Sequence, residues 1–368
     1  MSNQQNEQFC IPRDVVSLGD YERVASTRLT HACKEHIAAG VGDELTLQRN
    51  REDFDRIRIQ PRLLRNFAQA NTSCELLGSR LRHPIMLAPV AYQKLVHVDG
   101  ELATAAGAAA VDCGMIVSTL ASASLEDIAN QGLSLLWFQV YFQPERAATL
   151  ALVRRAERAG YTALVVTLDA PVSGLRNRAQ RAGFELPEHV TAVNLEHFSR
   201  PPQRALDSND SVVLHGFMAD APTMADLTWL LAETRLPVLV KGVLNPLDAL
   251  ELKNLGCAGV VVSNHGGRTL DGLPSTISAL AAVRAAVGDE YPVLLDSGIR
   301  RGTDVLKALA LGANCVLVGR PQLYALAVAG ALGVAHMLRL LHTEFETAMA
   351  LSGCPSLADI TKDCILAD

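Results

Sequence analysis

Residues 260–272, VVVSNHGGRTLDG, bring an imidazole and a guanidinium close together on one glycine-bearing loop. The apolar residues that open this stretch are typical of a buried strand, so the loop follows the end of that strand. The imidazole of His265 is suited to accepting a proton near neutral pH. The guanidinium of Arg268, three residues further on, can bind a carboxylate through two parallel hydrogen bonds. The stretch therefore indicates an active site in which a base acts on an anionic molecule.

Polar residues also stand at the ends of nearly all the other apolar runs of the chain. Any one of them alone is more often a turn or capping residue. Their recurrence at run after run favours a shared site over a series of unrelated turns. The residues are Ser118, Gln139, Tyr141, Thr167, Asp169, Lys241, Ser263, His265, Asp296 and Arg320.

Two stretches, 237–264 and 292–320, have the same predicted order of secondary-structure elements. That order shows which elements position these residues. Each begins with Pro-Val-Leu and an apolar run, continues through a loop into a helix, and ends in a second Val-rich run. Pro246 near a helix start, and Gly256 or Gly312 after a helix end, are the expected boundary signals. Continuous apolar strands that alternate with helices predict parallel strands buried on both faces.

Eight such runs predict an α/β fold, a (β/α)8 TIM barrel with its core at about 85–345. The runs are 85–90, 115–120, 135–141, 163–169, 237–242, 259–264, 292–298 and 315–320. An open doubly wound sheet is disfavoured because no Gly-x-Gly-x-x-Gly turn follows the first run. The prediction includes an N-terminal helical extension over 1–84 and a long loop after strand 4, within a single domain spanning 1–368. That loop contains the polar stretch SRPPQRALDSNDS.

In a barrel of this kind the catalytic groups belong at the carboxyl ends of the strands. The last two runs end in DSGIRRG and VGRP, which are glycine-bearing turns that carry Arg300, Arg301 and Arg320. Such turns hold phosphate with backbone N–H groups and a helix N-terminus. The sequence therefore predicts a ligand that carries a phosphate.

Composition narrows the class of protein. A net charge of −6 and a pI near 5.9 argue against a nucleic-acid partner or an anionic membrane surface. The eight cysteines form no Cys-x-x-Cys pair, so neither a metal site nor a disulfide framework is indicated. The first thirty residues are polar, which predicts no signal peptide. The apolar stretch 323–341 is interrupted by glycine and charge and predicts a buried helix, and 184–222 is mostly polar. We therefore expect a cytoplasmic enzyme with no membrane partner.

Six motifs together resemble one family. SNHGGRTLDG, DSGIRRGTDVLKALALGA, VGRP, APVAYQKLVHVDGE, WFQVY and VTLDAPVSGLR are similar to those of the FMN-dependent α-hydroxy acid oxidases and dehydrogenases. This family includes glycolate oxidase, lactate oxidase, hydroxymandelate oxidase and mandelate dehydrogenase. The resemblance runs from LGDYERVAS to ALSGCPSL, which is nearly the whole chain.

The resemblance implies that FMN is the cofactor and that an L-2-hydroxy acid is oxidised to the 2-oxo acid. His265 would take a proton from the substrate while two electrons pass to flavin N5, as a carbanion or as a hydride. Oxygen or another acceptor would reoxidise the flavin. The family also implies a homotetramer or an octamer.

The resemblance assigns further roles residue by residue. Asp169 would stabilise the imidazolium of His265, and Lys241 would lie beside flavin N1–C2=O as a fixed cation. Tyr141 and Arg176 would contact the substrate together with Arg268. The remaining cofactor-binding positions are Pro89, Val90, Ala91, Ser118, Gln139, Thr167, Ser263, Asp296, Ser297, Gly298, Arg300, Gly319 and Arg320.

Four positions depart from the family pattern. His36 aligns with a tyrosine that binds the substrate carboxylate, and we expect it to contact an anion and to titrate near neutral pH. A surface helix residue is the alternative for His36. Leu120 replaces a bulky tryptophan of glycolate oxidase, which predicts room for a medium or aryl side chain. An ordinary core leucine is the alternative for Leu120. Val90 replaces a common threonine and Ser297 a common glycine.

A second hypothesis keeps the barrel but not the redox chemistry. A phosphate-binding lyase or isomerase could use Lys241 as a Schiff base. The first hypothesis requires a yellow protein that is bleached anaerobically by its substrate. The second requires a colourless protein that borohydride traps with a keto substrate.

Overall fold

A closed barrel of eight parallel strands forms the centre of the computed structural model, which describes residues 11–198 and 205–366. The strands are β1 Ile85–Leu87, β2 Gly114–Val117, β3 Leu136–Val140, β4 Ala163–Thr167, β5 Val238–Val243, β6 Gly259–Val262, β7 Val293–Leu295 and β8 Cys315–Val318. Strand β8 pairs with β1, with Val316 opposite Ile85 and Val318 opposite Leu87, and this pairing closes the barrel. The predicted TIM barrel is confirmed, and the doubly wound sheet is excluded.

Twelve α-helices accompany the strands within the described ranges, and the chain leaves most strands through a loop into a helix. They are α1 Leu18–Arg28, α2 His31–Ala38, α3 Leu45–Arg56, α4 Gly100–Ala109, α5 Leu125–Ala129, α6 Arg146–Arg158, α7 Asn177–Arg181, α8 Met224–Glu233, α9 Pro246–Leu255, α10 Thr276–Val287, α11 Gly302–Ala310 and α12 Arg320–Ser352. Helix α9 has the expected boundaries: Asn245 caps its start, and Gly256 ends it at φ 102°.

The alternation of side chains along the strands places the polar site residues at the rim of the barrel. Ile116, Trp137 and Leu239 belong to the apolar cluster that fills the barrel. Two residues further along the chain, at or just beyond the carboxyl ends of these strands, stand the buried polar residues Ser118, Gln139 and Lys241. Since alternate residues of a strand face the same side, each row of packing side chains ends in a polar one at the rim.

Strand β5 contains an irregularity that brings two site residues together. Its pairing with β6 shifts register between Lys241 and Val243, and the intervening Gly242 adopts φ 107°. A Cβ at Gly242 would lie 2.4 Å from the Cβ of Asp169. Only glycine at position 242 therefore allows Asp169, just beyond β4, to pack this closely against β5, next to Lys241 in the chain.

The N-terminal extension is helical, as predicted, and covers the barrel. Residues of α1, α2 and α3 join the main hydrophobic core. A short hairpin of Cys74–Leu76 and Ser79–Leu81 packs Leu76 and Leu81 against the barrel interior. Residues 1–10 of the predicted extension lie outside the described residues.

Helix α12 contains the apolar stretch expected to be a buried helix. Within residues 11–198 and 205–366 it is the one helix long and apolar enough to span a membrane, and 61% of its most apolar window is buried inside the protein. Ala329 and Gly330 leave helical geometry and break it into two parts. Its burial is that of a core helix.

The segment after β4 is more structured than the predicted long loop. It contains α7, α8, two short 3-10 turns and a π-helical turn at Val212–Gly216. Val212, Leu214 and Phe217 are exposed there, so its surface is less polar than the sequence indicated. Residues 199–204, at the start of SRPPQRALDSNDS, lie outside the described residues.

Candidate active site

A cavity of about 590 Å³ opens at the carboxyl ends of the barrel strands. It is lined by the predicted residues His36, Pro89, Val90, Ala91, Leu120, Tyr141, Thr167, Arg176, Lys241, His265, Arg268, Asp296, Ser297, Gly298, Arg300, Gly319 and Arg320. The other predicted residues, Ser118, Gln139, Asp169 and Ser263, lie behind this wall. Ser118, Asp169 and Ser263 each form a hydrogen bond with a lining residue, and Gln139 accepts one from Ser118.

His265 is held in one orientation by its backbone and by its ring. Its φ of 57° is a left-handed conformation that a bulky residue rarely adopts. Its N–H donates to Ser263 Oγ over 3.0 Å, and its Nδ1 lies 3.0 Å from Asp169 Oδ1. Nε2 makes no hydrogen bond to the described residues. An imidazole oriented by a carboxylate at Nδ1 can accept a proton at Nε2.

Lys241 lies at the bottom of the cavity in a buried ionic network. Its Nζ donates to Ser263 Oγ over 2.8 Å and lies 2.9 Å from Asp296 Oδ2. Burial alone would lower the pKa of Lys241, but Asp296 and Asp169 raise it above its usual value. The amine therefore stays a cation, whereas a Schiff-base lysine needs a neutral amine. The geometry disfavours the lyase hypothesis.

Two cavity arginines are anchored by the end of helix α2, which the sequence did not suggest. Arg268 Nη1 donates to the carbonyls of His36, Ile37 and Ala39 over 2.8–3.2 Å. Arg320 donates to the carbonyls of Ile37 and Ala39 over 2.9 and 3.1 Å. The last carbonyls of a helix lack intrahelical partners and carry partial negative charge, so they attract guanidinium groups.

The arginines concentrate positive charge in a buried place. Burial, Arg320 and Arg176 lower the pKa of Arg268 well below its usual value. Burial and Arg300 lower the pKa of Arg320 to about 10. An anion bound among these groups would relieve their repulsion, so the site favours carboxylates and phosphates. Arg301, expected beside them, instead pairs with Glu344 at 2.9 Å on the surface.

His36 lines the cavity, which excludes the alternative of a surface residue. Its ring stacks on Phe184 with 3.7 Å between centroids and 21° between planes. Burial, Arg268 and Arg176 lower the pKa of His36 to about 3. The expectation that it titrates near neutral pH is therefore wrong, because burial and two cationic neighbours disfavour the protonated ring. The imidazole meets the cavity as a neutral group.

Leu120 and Tyr141 both face the cavity from loops that follow the strands. Leu120 is therefore not the ordinary core leucine of the alternative interpretation. Burial raises the pKa of Tyr141 to about 12, so its phenol stays protonated and can donate a hydrogen bond.

Unpaired buried atoms test whether FMN fits these residues. Gln139 Nε2 and Thr167 Oγ1, on neighbouring strands, are buried without a hydrogen-bond partner. Such groups are normally paired, so they call for a ligand with a hydrogen-bonding edge. Ser297 Oγ accepts from Gly266 N at 2.9 Å, which offsets the strain of its φ of 81° and fixes the turn ahead of Arg300. The residues present therefore fit a flavin ring at β3–β4 and its phosphate at β7–β8.

The profile of FMN-dependent dehydrogenases matches residues 25–367. The chain belongs to the FMN-dependent dehydrogenase family. FMN is its cofactor, and the protein is an FMN-dependent oxidoreductase. The family resemblance predicted from the sequence motifs is confirmed.

Relatives within the family are similar over nearly their whole length. The chain is 49% identical over 355 residues to an L-lactate oxidase of Alicycliphilus denitrificans, with 96% of this chain and 97% of the relative covered. It is 43% identical over 356 residues to glycolate oxidase 1 of Zea mays, with 96% of each covered. A crystal structure of mandelate oxidase with (S)-2-phenylpropionate matches with a TM-score of 0.87 at 42% identity, covering 96% of this chain and 98% of the other.

Several lining residues were not predicted from the sequence. They follow the strands in loops and are mostly apolar, which gives no chemical signal. The set includes Tyr92, Phe142, Gln143, Val172, Leu195, Phe217 and Pro222. Phe217 and Pro222 belong to the segment after β4, and no motif connects them to the site.

Proposed function

We propose that this protein oxidises L-2-hydroxy acids to 2-oxo acids with FMN. FMN-dependent oxidation of a 2-hydroxy acid is the activity of the family, and the lactate, glycolate and mandelate oxidases are named for it. The observation that carries the proposal is the pairing of His265 with Asp169 beside Arg268, in the same cavity as Lys241.

Each residue of the site has a distinct role in the proposed reaction. Arg268 and Arg176 hold the substrate carboxylate, which fixes the carbon that is oxidised. His265 Nε2 accepts one proton of the substrate, and Asp169 stabilises the imidazolium that results. FMN, when bound, would take up the two electrons and the second proton that the substrate loses. Lys241 supplies a fixed positive charge towards that acceptor.

We infer the preference for the side chain of the substrate from Leu120. A leucine leaves more room than tryptophan, and the small Ala91 lines the same cavity. Burying an added apolar group there favours it by roughly 1.5–3 kcal/mol. We therefore expect S enantiomers with medium or aryl side chains to be better substrates than glycolate.

The test is kcat/KM for glycolate, L-lactate, (S)-2-hydroxyoctanoate and (S)-mandelate in the parent protein and in Leu120→Trp. The parent should prefer the larger acids by about ten- to a hundredfold, and the variant should reverse the order. Glycolate as the best substrate of the parent would contradict the size argument.

The electron acceptor is proposed to be oxygen, because the similar relatives are named oxidases. Oxygen uptake with (S)-mandelate or L-lactate, compared with reduction of a dye under anaerobic conditions, tests this. Turnover with the dye and none with oxygen would identify a dehydrogenase.

The protein is proposed to be cytoplasmic and to assemble as a homotetramer or an octamer. The acidic net charge and the burial of α12 support the location, and the family resemblance supports the assembly. Recovery in the membrane pellet after a salt wash would contradict the location. Light scattering of the purified holoenzyme gives the assembly state.

A further inference from the structure

Tyr92 has an unusual backbone conformation beside the cavity. It follows β1 and adopts φ 54° and ψ 46°, the left-handed region that aromatic residues rarely occupy. Strained residues of this kind persist where surrounding structure imposes them, and they cluster at functional sites.

The surrounding hydrogen bonds impose this conformation. Tyr92 N donates to the carbonyl of Leu120 over 3.1 Å, and Leu95 N donates to the carbonyl of Tyr92 over 3.0 Å. The next residue, Gln93, donates its N–H to Glu101 Oε1 over 3.0 Å, and Glu101 is fully buried. The tyrosine is therefore fixed next to Leu120, at the part of the cavity assigned to the substrate side chain.

The side chain of Tyr92 adds a hydroxyl group to the cavity lining. It lines the cavity together with Leu95, Val96 and Leu120. Its hydroxyl makes no hydrogen bond to the residues that the structure describes. Burial raises the pKa of Tyr92, so the phenol stays protonated at neutral pH and can donate or accept a hydrogen bond.

We propose that Tyr92 is a specificity-determining residue whose hydroxyl binds a polar group on the side chain of the substrate. The favoured acids carry a hydroxyl or a similar hydrogen-bonding group at the far end of an aryl or medium-length side chain. A plain apolar side chain would leave the phenol desolvated and unpaired, which weakens its binding relative to the hydroxylated acid. The inference rests on the proposed oxidation of 2-hydroxy acids.

The experiment compares matched acids that differ by one ring hydroxyl. The pairs are (S)-4-hydroxymandelate with (S)-mandelate, and 3-(4-hydroxyphenyl)-L-lactate with 3-phenyl-L-lactate. The ratio of kcat/KM within each pair is measured for the parent holoenzyme and for Tyr92→Phe. In at least one pair the parent should favour the hydroxylated acid, and the variant should lower that ratio by about three- to tenfold.

Tyr291→Phe is the matched control. This substitution also removes one hydroxyl, which donates to the carbonyl of Cys257 over 2.9 Å. Tyr291 does not line the cavity. This variant should leave both ratios unchanged. The FMN dissociation constant of Tyr92→Phe should equal that of the parent.

Two results would overturn the role of Tyr92. One is that Tyr92→Phe changes neither ratio of kcat/KM. The other is weaker FMN binding with unchanged ratios, which would make Tyr92 a cofactor contact. Failure of all four acids to reduce FMN in the parent would instead overturn the proposed function.

Discussion

At the scale of single residues, the site depends on how each polar side chain is paired. His265 has Asp169 at one ring nitrogen and faces the cavity with the other, whereas Lys241 has both Ser263 and Asp296. The first arrangement leaves a proton acceptor available, and the second keeps a cation charged. One buried network thus supplies a base and a fixed positive charge at neighbouring positions.

Replacing His265 tests its role as the base. His265→Ala should bind FMN but reduce it more slowly by about 10²–10⁴ or more, because general-base catalysis alone contributes that much. The measurement is anaerobic stopped-flow reduction with a saturating 2-hydroxy acid. His189→Ala, at an exposed position, is the control and should reduce FMN at the parent rate. A rate for His265→Ala within roughly tenfold of the parent would show that another group is the base.

Functional side chains are easier to predict from a sequence than functional backbone groups. The polar ends of the strands were recognisable because their residue types imply chemistry. The carbonyls of Ile37 and Ala39, which hold Arg268 and Arg320, gave no signal because any residue has a carbonyl. The pKa of His36 was mispredicted because it depends on burial and on two arginines that are distant along the chain.

At the scale of elements, helix α2 connects the N-terminal extension to the site. Its last carbonyls hold two arginines, and its His36 stacks on Phe184, which follows α7. Arg178 of α7 pairs with Glu35 of α2 at 2.6 Å and with Glu44 at 2.9 Å. The position of α2, and with it the anion site, therefore depends on α7.

Removing this link should weaken substrate binding more than it slows the reaction. Arg178→Ala should raise KM about three- to tenfold, because a partly buried ion pair contributes about 1 kcal/mol. The kcat should change little. Steady-state kinetics with one acid over a range of concentrations gives both values.

Arg154→Ala provides the comparison for this variant. Arg154 also pairs with two glutamates, Glu157 at 2.8 Å and Glu233 at 3.6 Å, with similar exposure but away from α2. It should leave KM unchanged. Equal kinetic effects of the two variants would mean that α7 does not position the anion site.

The segment after β4 contains a helix that was not predicted from the sequence. Helix α8 begins with a capping box, Thr223 with Asp226, which is a recognisable start signal. The polar stretch before it favoured one long loop and obscured that signal. The short 3-10 and π-helical turns had no comparable pattern, because they depend on tertiary contacts.

At the scale of the whole molecule, the barrel separates the site from the opposite end. The closed fold was predictable because eight buried runs alternate with helices, and closure follows from that number. The sequence motifs did not point to the opposite end of the barrel. There His83, just before β1, is buried against His342 with 4.5 Å between ring centroids, and its Nδ1 lacks a partner within the described ranges.

This buried histidine should make the protein sensitive to acid. Burial, His342 and Arg82 lower the pKa of His83 to about 4, below the usual value near 6.5. The unfolded chain therefore binds a proton as the pH falls through 6.5, while the folded protein resists it until about pH 4. Stability is lost across that window, by about 2 kcal/mol from His83 between pH 7 and pH 5.

Urea unfolding at both pH values, with saturating FMN, should show this loss in the parent and in His189→Phe, an exposed control. His83→Phe should lose less stability on acidification, because the unfolded chain no longer gains that proton. The same decrease in all three proteins would assign the acid sensitivity to other groups.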